Sequence, residues 1–196
     1  GEQELLTHFL GLTPALVVER FYLWQIGTYM FLHANFWHIF LNMYALLIFG
    51  MSIEQVWGGR RFLFYYFFTG VGAGLTIFLL NLFLGGLGYQ VPTIGASGAV
   101  FGLLLAFGVL FPDAQILLFF VIPLRARYLV VLYGALEMAA LIQSPEGGSV
   151  SHVGHLGGLL FGILYFTVIR KRMSAFKIKK LQAERSEEHT SELQSL

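Results

Sequence analysis

Three groups of polar residues interrupt an otherwise apolar chain, and their types suit acyl transfer. Ser97 stands in Gly95-Ala96-Ser97-Gly98, and His155 in His152-Val153-Gly154-His155-Leu156-Gly157-Gly158. His38 and Asn42 are four residues apart, with His33 shortly before them. A serine hydroxyl is a weak nucleophile until a base within hydrogen-bond reach takes its proton. His155 is the natural base, because neutral imidazole is available near physiological pH. The reaction also needs donors aimed at the developing oxyanion. Asn42 offers an amide N–H and His38 a ring N–H. The start of the helix that carries Ser97 in its first turn adds backbone N–H groups that have no intrahelical partner.

These groups must be carried by membrane helices. Of 196 residues, 57% are apolar and only 12% charged, and the mean hydropathy is +0.71. Soluble domains hold about 25% charged residues, so a water-soluble globule is excluded. Disorder is excluded as well, because it needs high charge and little apolar content. With no cysteine there is no disulfide framework or cysteine zinc site, and a net charge of +1 gives no reason to expect nucleic acid as a partner. No Asp, Glu, Lys or Arg occurs between Arg20 and Glu54, between Arg61 and Asp113, or between Glu146 and Arg170. A span needs roughly 20 apolar residues. The gaps predict spans at 35–57, 62–84, 94–111 and 150–169, with a shorter fifth at 128–143 interrupted by Glu137. Residues 85–88 and Val91-Pro92 separate the second span from the third.

Arg60-Arg61, Arg125 with Arg127, and Arg170-Lys171-Arg172 fall on alternate connections, which the positive-inside rule makes cytoplasmic. The first, third and last spans in the chain therefore run inward. His38 with Asn42, Ser97 and His155 each open one of them, so all lie at similar shallow depth on the extracytoplasmic side. Apart from Glu146 in a loop, no acid stands at these outer helix ends, so a Ser–His dyad is expected rather than a triad. Gly154, Gly158 and Gly162 form one ridge and Gly98 with Gly102 another, and small ridges let membrane helices approach closely. Phe101, one turn below Ser97, can pack its ring on the His155 imidazole.

Together these residues resemble the rhomboid intramembrane serine proteases. The similarity runs over about residues 12 to 172 and is carried by His33, His38-x-x-x-Asn42, Gly95-x-Ser97-Gly98 and His155-x-x-Gly158-x-x-x-Gly162. It implies an all-α, polytopic, rhomboid-like bundle with five of the usual six membrane helices. In that arrangement residues 1–34 form an interfacial region following an absent first helix, 35–172 the membrane core, and 173–196 a cytoplasmic tail. Residues 186–196 read as appended sequence. The resemblance implies Ser97 as nucleophile, His155 as general base, and His38 and Asn42 at the oxyanion. His33, Gly95, Gly98, Phe101 and Gly158 would shape the site. It further implies transmembrane protein substrates, contact with the lipid bilayer, no cofactor or metal, and a bacterial inner membrane. Trp24-Gln25 is similar to the family's Trp-Arg pair, with Gln in place of Arg, and Phe101 stands where many members carry Tyr.

Plainer readings stand beside these. Ser97 alone is the kind of small residue that packs helices. Asn42 alone suits a bond to a neighbouring helix, and His33 suits a structural hydrogen bond. His152 is the second choice of base, one turn nearer the surface, and Glu137 either pairs with an interior donor or marks a wet cavity. A metal hydrolase using His33, His38, His152 and His155 is disfavoured because His-Glu-x-x-His is absent. A catalytically inactive rhomboid-like protein that binds membrane clients is the alternative; such relatives typically lack the serine or the histidine.

Overall fold

The computed structural model describes residues 1–84, 87–118, 121–143 and 149–169. The basic cluster at 170–172, the tail at 173–196, Gly85-Gly86 and the 144–148 connection with Glu146 lie outside the described residues. Two compact units divide the chain, Gly1–Gly162 and Ile163–Leu196. All the polar groups named above fall in the first. The described part of the second includes a π-helical turn, Tyr165–Ile169.

The first 34 residues form short pieces rather than a span: helices α1 (Glu2–Leu10), α2 (Pro14–Glu19) and α3 (Gln25–Thr28), then a 3₁₀ turn at Tyr29–Phe31. Polar side chains knit them together. Gln25 is fully buried, and its Nε2 donates to the His8 carbonyl at 2.8 Å while its Oε1 accepts from Thr13 N at 3.1 Å. Trp24 Nε1 donates to the Phe9 carbonyl and Thr28 Oγ1 to the Leu10 carbonyl, both at 2.8 Å. Three side chains thus satisfy the carbonyls that the end of α1 leaves without intrahelical partners. Glutamine serves here because it can donate and accept at once. Replacing Gln25 by Leu strands a buried N–H and C=O and is expected to cost about 2 kcal/mol or more, read as a lowered melting temperature in detergent.

Among the described residues, four helices are long and apolar enough to cross a membrane: Phe36–Trp57, Gly59–Phe83, Ala126–Gln143 and Ser151–Ile169. They correspond to α4 (Phe36–Trp57), α5 (Gly59–Leu84), α7 (Ala126–Gln143) and α8 (Ser149–Leu164). The expected third span is shorter than read from sequence. Helix α6 runs only from Ser97 to Leu110, 14 residues, or about 21 Å against a hydrocarbon core of about 30 Å. Gly95 supplies the reason. Its φ of +126° is a conformation that helices do not use, so the chain enters α6 extended. That lead-in is pinned by Leu12 and Thr93, which exchange backbone hydrogen bonds at 2.9 and 2.8 Å, and by Gly95 N donating to the Tyr29 carbonyl at 2.9 Å. Non-helical backbone is tolerated at such depth only where protein surrounds it or water reaches it.

Helix α6 is the axis of the bundle, packed against α4, α5 and α7 and buried through Ala99, Gly102, Leu103, Ala106 and Phe107. An apolar helix buried on most sides belongs in an interior. Tyr65 of α5 donates its hydroxyl to the Gly102 carbonyl, and Tyr29 donates to the Gly70 carbonyl, each at 2.7 Å. Between α6 and α7 the chain forms a small antiparallel hairpin, β1 (Gln115–Leu118) with β2 (Ile122–Arg125), where sequence analysis saw only a basic connection. Asp113 explains part of it, bonding Arg127 and standing 3.4 Å from Arg125. Helix α7 runs unbroken through Glu137.

Candidate active site

Ser97 is the first residue of α6 and His155 lies one and a half turns into α8. Their side chains meet: His155 Nε2 is 2.8 Å from Ser97 Oγ. Glycine makes the approach possible. A Cβ added at Gly158 of α8 would overlap the Gly98 carbonyl of α6, and one at Gly98 would lie 3.2 Å from the Gly154 carbonyl and 2.5 Å from the Ala73 Cβ. The two ridges do not interlock along their whole length. Gly102 receives Thr69 of α5, and Gly154 faces Ile77 of α5, so the α6–α8 crossing centres on Gly98 and Gly158. Phe101 stacks on the His155 ring at 4.3 Å between centroids and 9° between planes. Tyr133 of α7 meets the Phe101 ring edge-on, 6.1 Å between centroids.

The opening turn of α4 brings the other polar pair. Asn35 caps the helix, its Oδ1 accepting from His38 N at 2.9 Å, and Asn42 donates one amide N–H to the His38 carbonyl at 2.8 Å. Asn42 is buried, and its second amide N–H remains available. His38 Nδ1 accepts from Ala34 N at 3.3 Å, which puts the proton of a neutral ring on Nε2. That Nε2 faces Gly95: an added Cβ there would sit 2.7 Å from it and 3.8 Å from Ser97 Oγ. His38 and Ser97 thus share the space that Gly95 leaves open.

His33 stands edge-on to His38, 5.0 Å between ring centroids, and its Nε2 is buried with no hydrogen-bond partner among the described residues. Burial first, and then the neighbouring His38, holds the His33 imidazole below its ordinary value. The folded state therefore binds this proton later than the unfolded chain as pH falls. Stability from this group is present above about pH 6.5 and declines below it, levelling off once the folded form also protonates. Melting temperatures followed from pH 8 to pH 5 should fall more steeply for the wild type than for His33→Gln.

One participant was missed. Glu137 on α7 reaches the same histidine: its Oε1 lies 3.0 Å from His155 Nδ1, and its Oε2 lies 2.6 Å from His152 Nδ1. An acid was not expected at this depth because only helix ends were considered. Rise per residue shows otherwise. Glu137 is six residues before the end of α7 and His155 six after the start of α8, so each lies about 9 Å along its helix from the shared connection. Glu137, His152 and His155 also form a group of potential metal ligands, which includes neither His33 nor His38. Among the described residues, the four histidines weighed from sequence do not form one such group.

A helical membrane bundle in which a serine and an imidazole from different helices meet at the start of a short central helix defines a class: a polytopic membrane protein with a Ser–His pair. Residues 20–172 match the Rhomboid domain. The chain is 37% identical over 153 residues to Rhomboid protein 1, mitochondrial, of Saccharomyces cerevisiae, covering 78% of this chain and 44% of that protein. It is 34% identical over 182 residues to Rhomboid-like protein 11, chloroplastic, of Arabidopsis thaliana, covering 87% and 62%. With Rhomboid-like protease 1 of Toxoplasma gondii it shares 31% identity over 174 residues, covering 87% and 55%. The matched stretches thus take in between 44% and 62% of these relatives' lengths. The chain belongs to the rhomboid family.

Proposed function

We propose that this rhomboid-family protein is an intramembrane serine endopeptidase that hydrolyses peptide bonds in or near transmembrane segments of other membrane proteins. The observation that carries the reading is the 2.8 Å contact between Ser97 Oγ and His155 Nε2, with the imidazole plane held by Phe101. In the reaction, Ser97 Oγ attacks the scissile carbonyl carbon while its proton passes to His155 Nε2. The carbonyl oxygen becomes an oxyanion, whose proposed donors are His38 Nε2–H, the second Asn42 amide N–H and the backbone N–H groups at the start of α6. Collapse expels the amine, which takes the proton from His155, and leaves an acyl ester on Ser97. Water, activated by the same imidazole, then hydrolyses the ester and restores the hydroxyl.

A peptide bond inside a helix is shielded by its own backbone, so substrates should unwind locally. Segments with Gly, Ala or Pro near the membrane surface suit this. The basic connections at Arg60-Arg61 and at Arg125 with Arg127 support a site on the extracytoplasmic side. A bacterial inner membrane is the proposed location, supported by the sequence resemblance and by the similarity to a Bacillus subtilis relative, 29% identical over 142 residues.

A fluorophosphonate tests the reading directly, because it reacts with an activated serine and needs no known substrate. The wild-type chain in detergent should be labelled once, and peptide mass spectrometry should locate the adduct on Ser97. Failure of a folded wild type to label would favour the inactive, client-binding reading.

A further inference from the structure

A carboxylate inside a membrane span is costly and needs an account. The Glu137 side chain is only 13% exposed, and both of its oxygens face imidazole nitrogens. Two ligands of one tetrahedral metal ion at about 2.0–2.2 Å stand about 3.3 Å or more apart. The 2.6 Å contact between Glu137 and His152 is shorter than that and suits a shared proton.

His155 supplies the second half of the argument. To take a proton from Ser97, its Nε2 must be bare, so a neutral ring carries its hydrogen on Nδ1. That Nδ1 is buried and has no aligned hydrogen-bond partner among the described residues. A buried donor left unsatisfied is destabilising. Glu137 Oε1 is 3.0 Å away but off the N–H direction. Catalytic hydrogen bonds are often poorly aligned before substrate binds.

We propose that Glu137 is a positioning residue for the Ser97–His155 pair. Its carboxylate accepts the Nδ1 proton of His155, selects the tautomer with Nε2 bare toward Ser97, and faces the positive charge that develops on the ring. The imidazole is then held by three side chains: Ser97 on one nitrogen, Glu137 on the other, and Phe101 against its face. His152 holds the second carboxylate oxygen, which leaves Oε1 for His155. When the Ser97 proton reaches Nε2 the ring becomes an imidazolium. Glu137 stays ionised throughout, and the proton leaves with the departing amine. This inference rests on the protease reading above and adds a third member to the pair.

The test compares wild type, Glu137→Gln and Glu137→Asp in fluorophosphonate labelling and in cleavage of a transmembrane substrate in liposomes. Wild-type labelling at Ser97 decides the protease reading by itself. With that secured, Glu137→Gln should lower kcat on the order of 10²–10⁴-fold with KM within threefold, because an amide can donate to Nδ1 and impose the wrong tautomer. Glu137→Asp, which keeps the charge, should recover at least tenfold over Gln. A merely structural role predicts equal losses for the two variants, tracking their melting temperatures. ¹⁵N-imidazole NMR of the wild-type chain gives a second readout that needs no substitution, and a neutral His155 should carry its hydrogen on Nδ1. Hydrogen on Nε2, kcat within threefold in Glu137→Gln, or equal losses in Gln and Asp would each overturn the proposal.

Discussion

Ser97→Ala is expected to abolish fluorophosphonate labelling and to lower kcat for a transmembrane substrate by about 10⁴–10⁶-fold, the scale on which serine hydrolases lose activity without their nucleophile. The loss should be chemical rather than structural. Ser97 opens α6 between Ala96 and Gly98, its hydroxyl bonds to His155, and alanine is the better helix former. The melting temperature should therefore stay within a few degrees of wild type, and substrate should still bind. Measured in liposomes against a substrate with its own cleavage-resistant control, residual turnover above one part in a hundred would remove Ser97 from the nucleophile role.

The second large effect tests the scaffold. Gly158→Ala puts a methyl group where the Gly98 carbonyl oxygen already lies, and backbone cannot step aside as a flexible side chain would. Helices α6 and α8 must part, and the 2.8 Å contact between Ser97 and His155 parts with them. A displacement of about 1 Å in a catalytic pair can cost about 10²-fold in rate. Gly158→Ala should therefore lose at least that much in kcat, together with about 1–3 kcal/mol of stability from overpacking. Gly134→Ala is the matched control. Its Cβ would meet only the Leu159 side chain at 3.6 Å, an ordinary contact, so activity and stability should hold or improve. Equal behaviour of the two variants would show that the Gly98–Gly158 crossing does not set the geometry of the pair.

The contrast between these glycines bears on what was legible in advance. Four-residue glycine spacing announced that helices approach closely, and it pointed to Ser97 and His155 as partners. It did not say which glycine meets which helix. Gly158 faces Gly98 and Gly162 faces Leu105 of α6, whereas Gly102 and Gly154 face α5, because which neighbour a ridge position meets depends on how the helices cross. Phe101 was open to two readings, plain core or a platform for His155, because residues four apart share a helix face; the stacking itself is a finding of the structure. The hairpin at β1 and β2 was not, because a short apolar run carries no period that separates strand from helix.

Charge positions alone established a membrane protein and its alternating basic connections, since charges in hydrocarbon are costly wherever they occur. They also set the helix ends at which Ser97, His155, His38 and Asn42 lie. Tertiary structure decided the rest: that α6 starts late, at Ser97, and that Glu137 from a neighbouring helix faces the far nitrogen of His155. The physical reason is that cost of burial is written residue by residue along the chain. Which side chains face one another depends on crossing angles and rotations, which arise only when several helices pack at once.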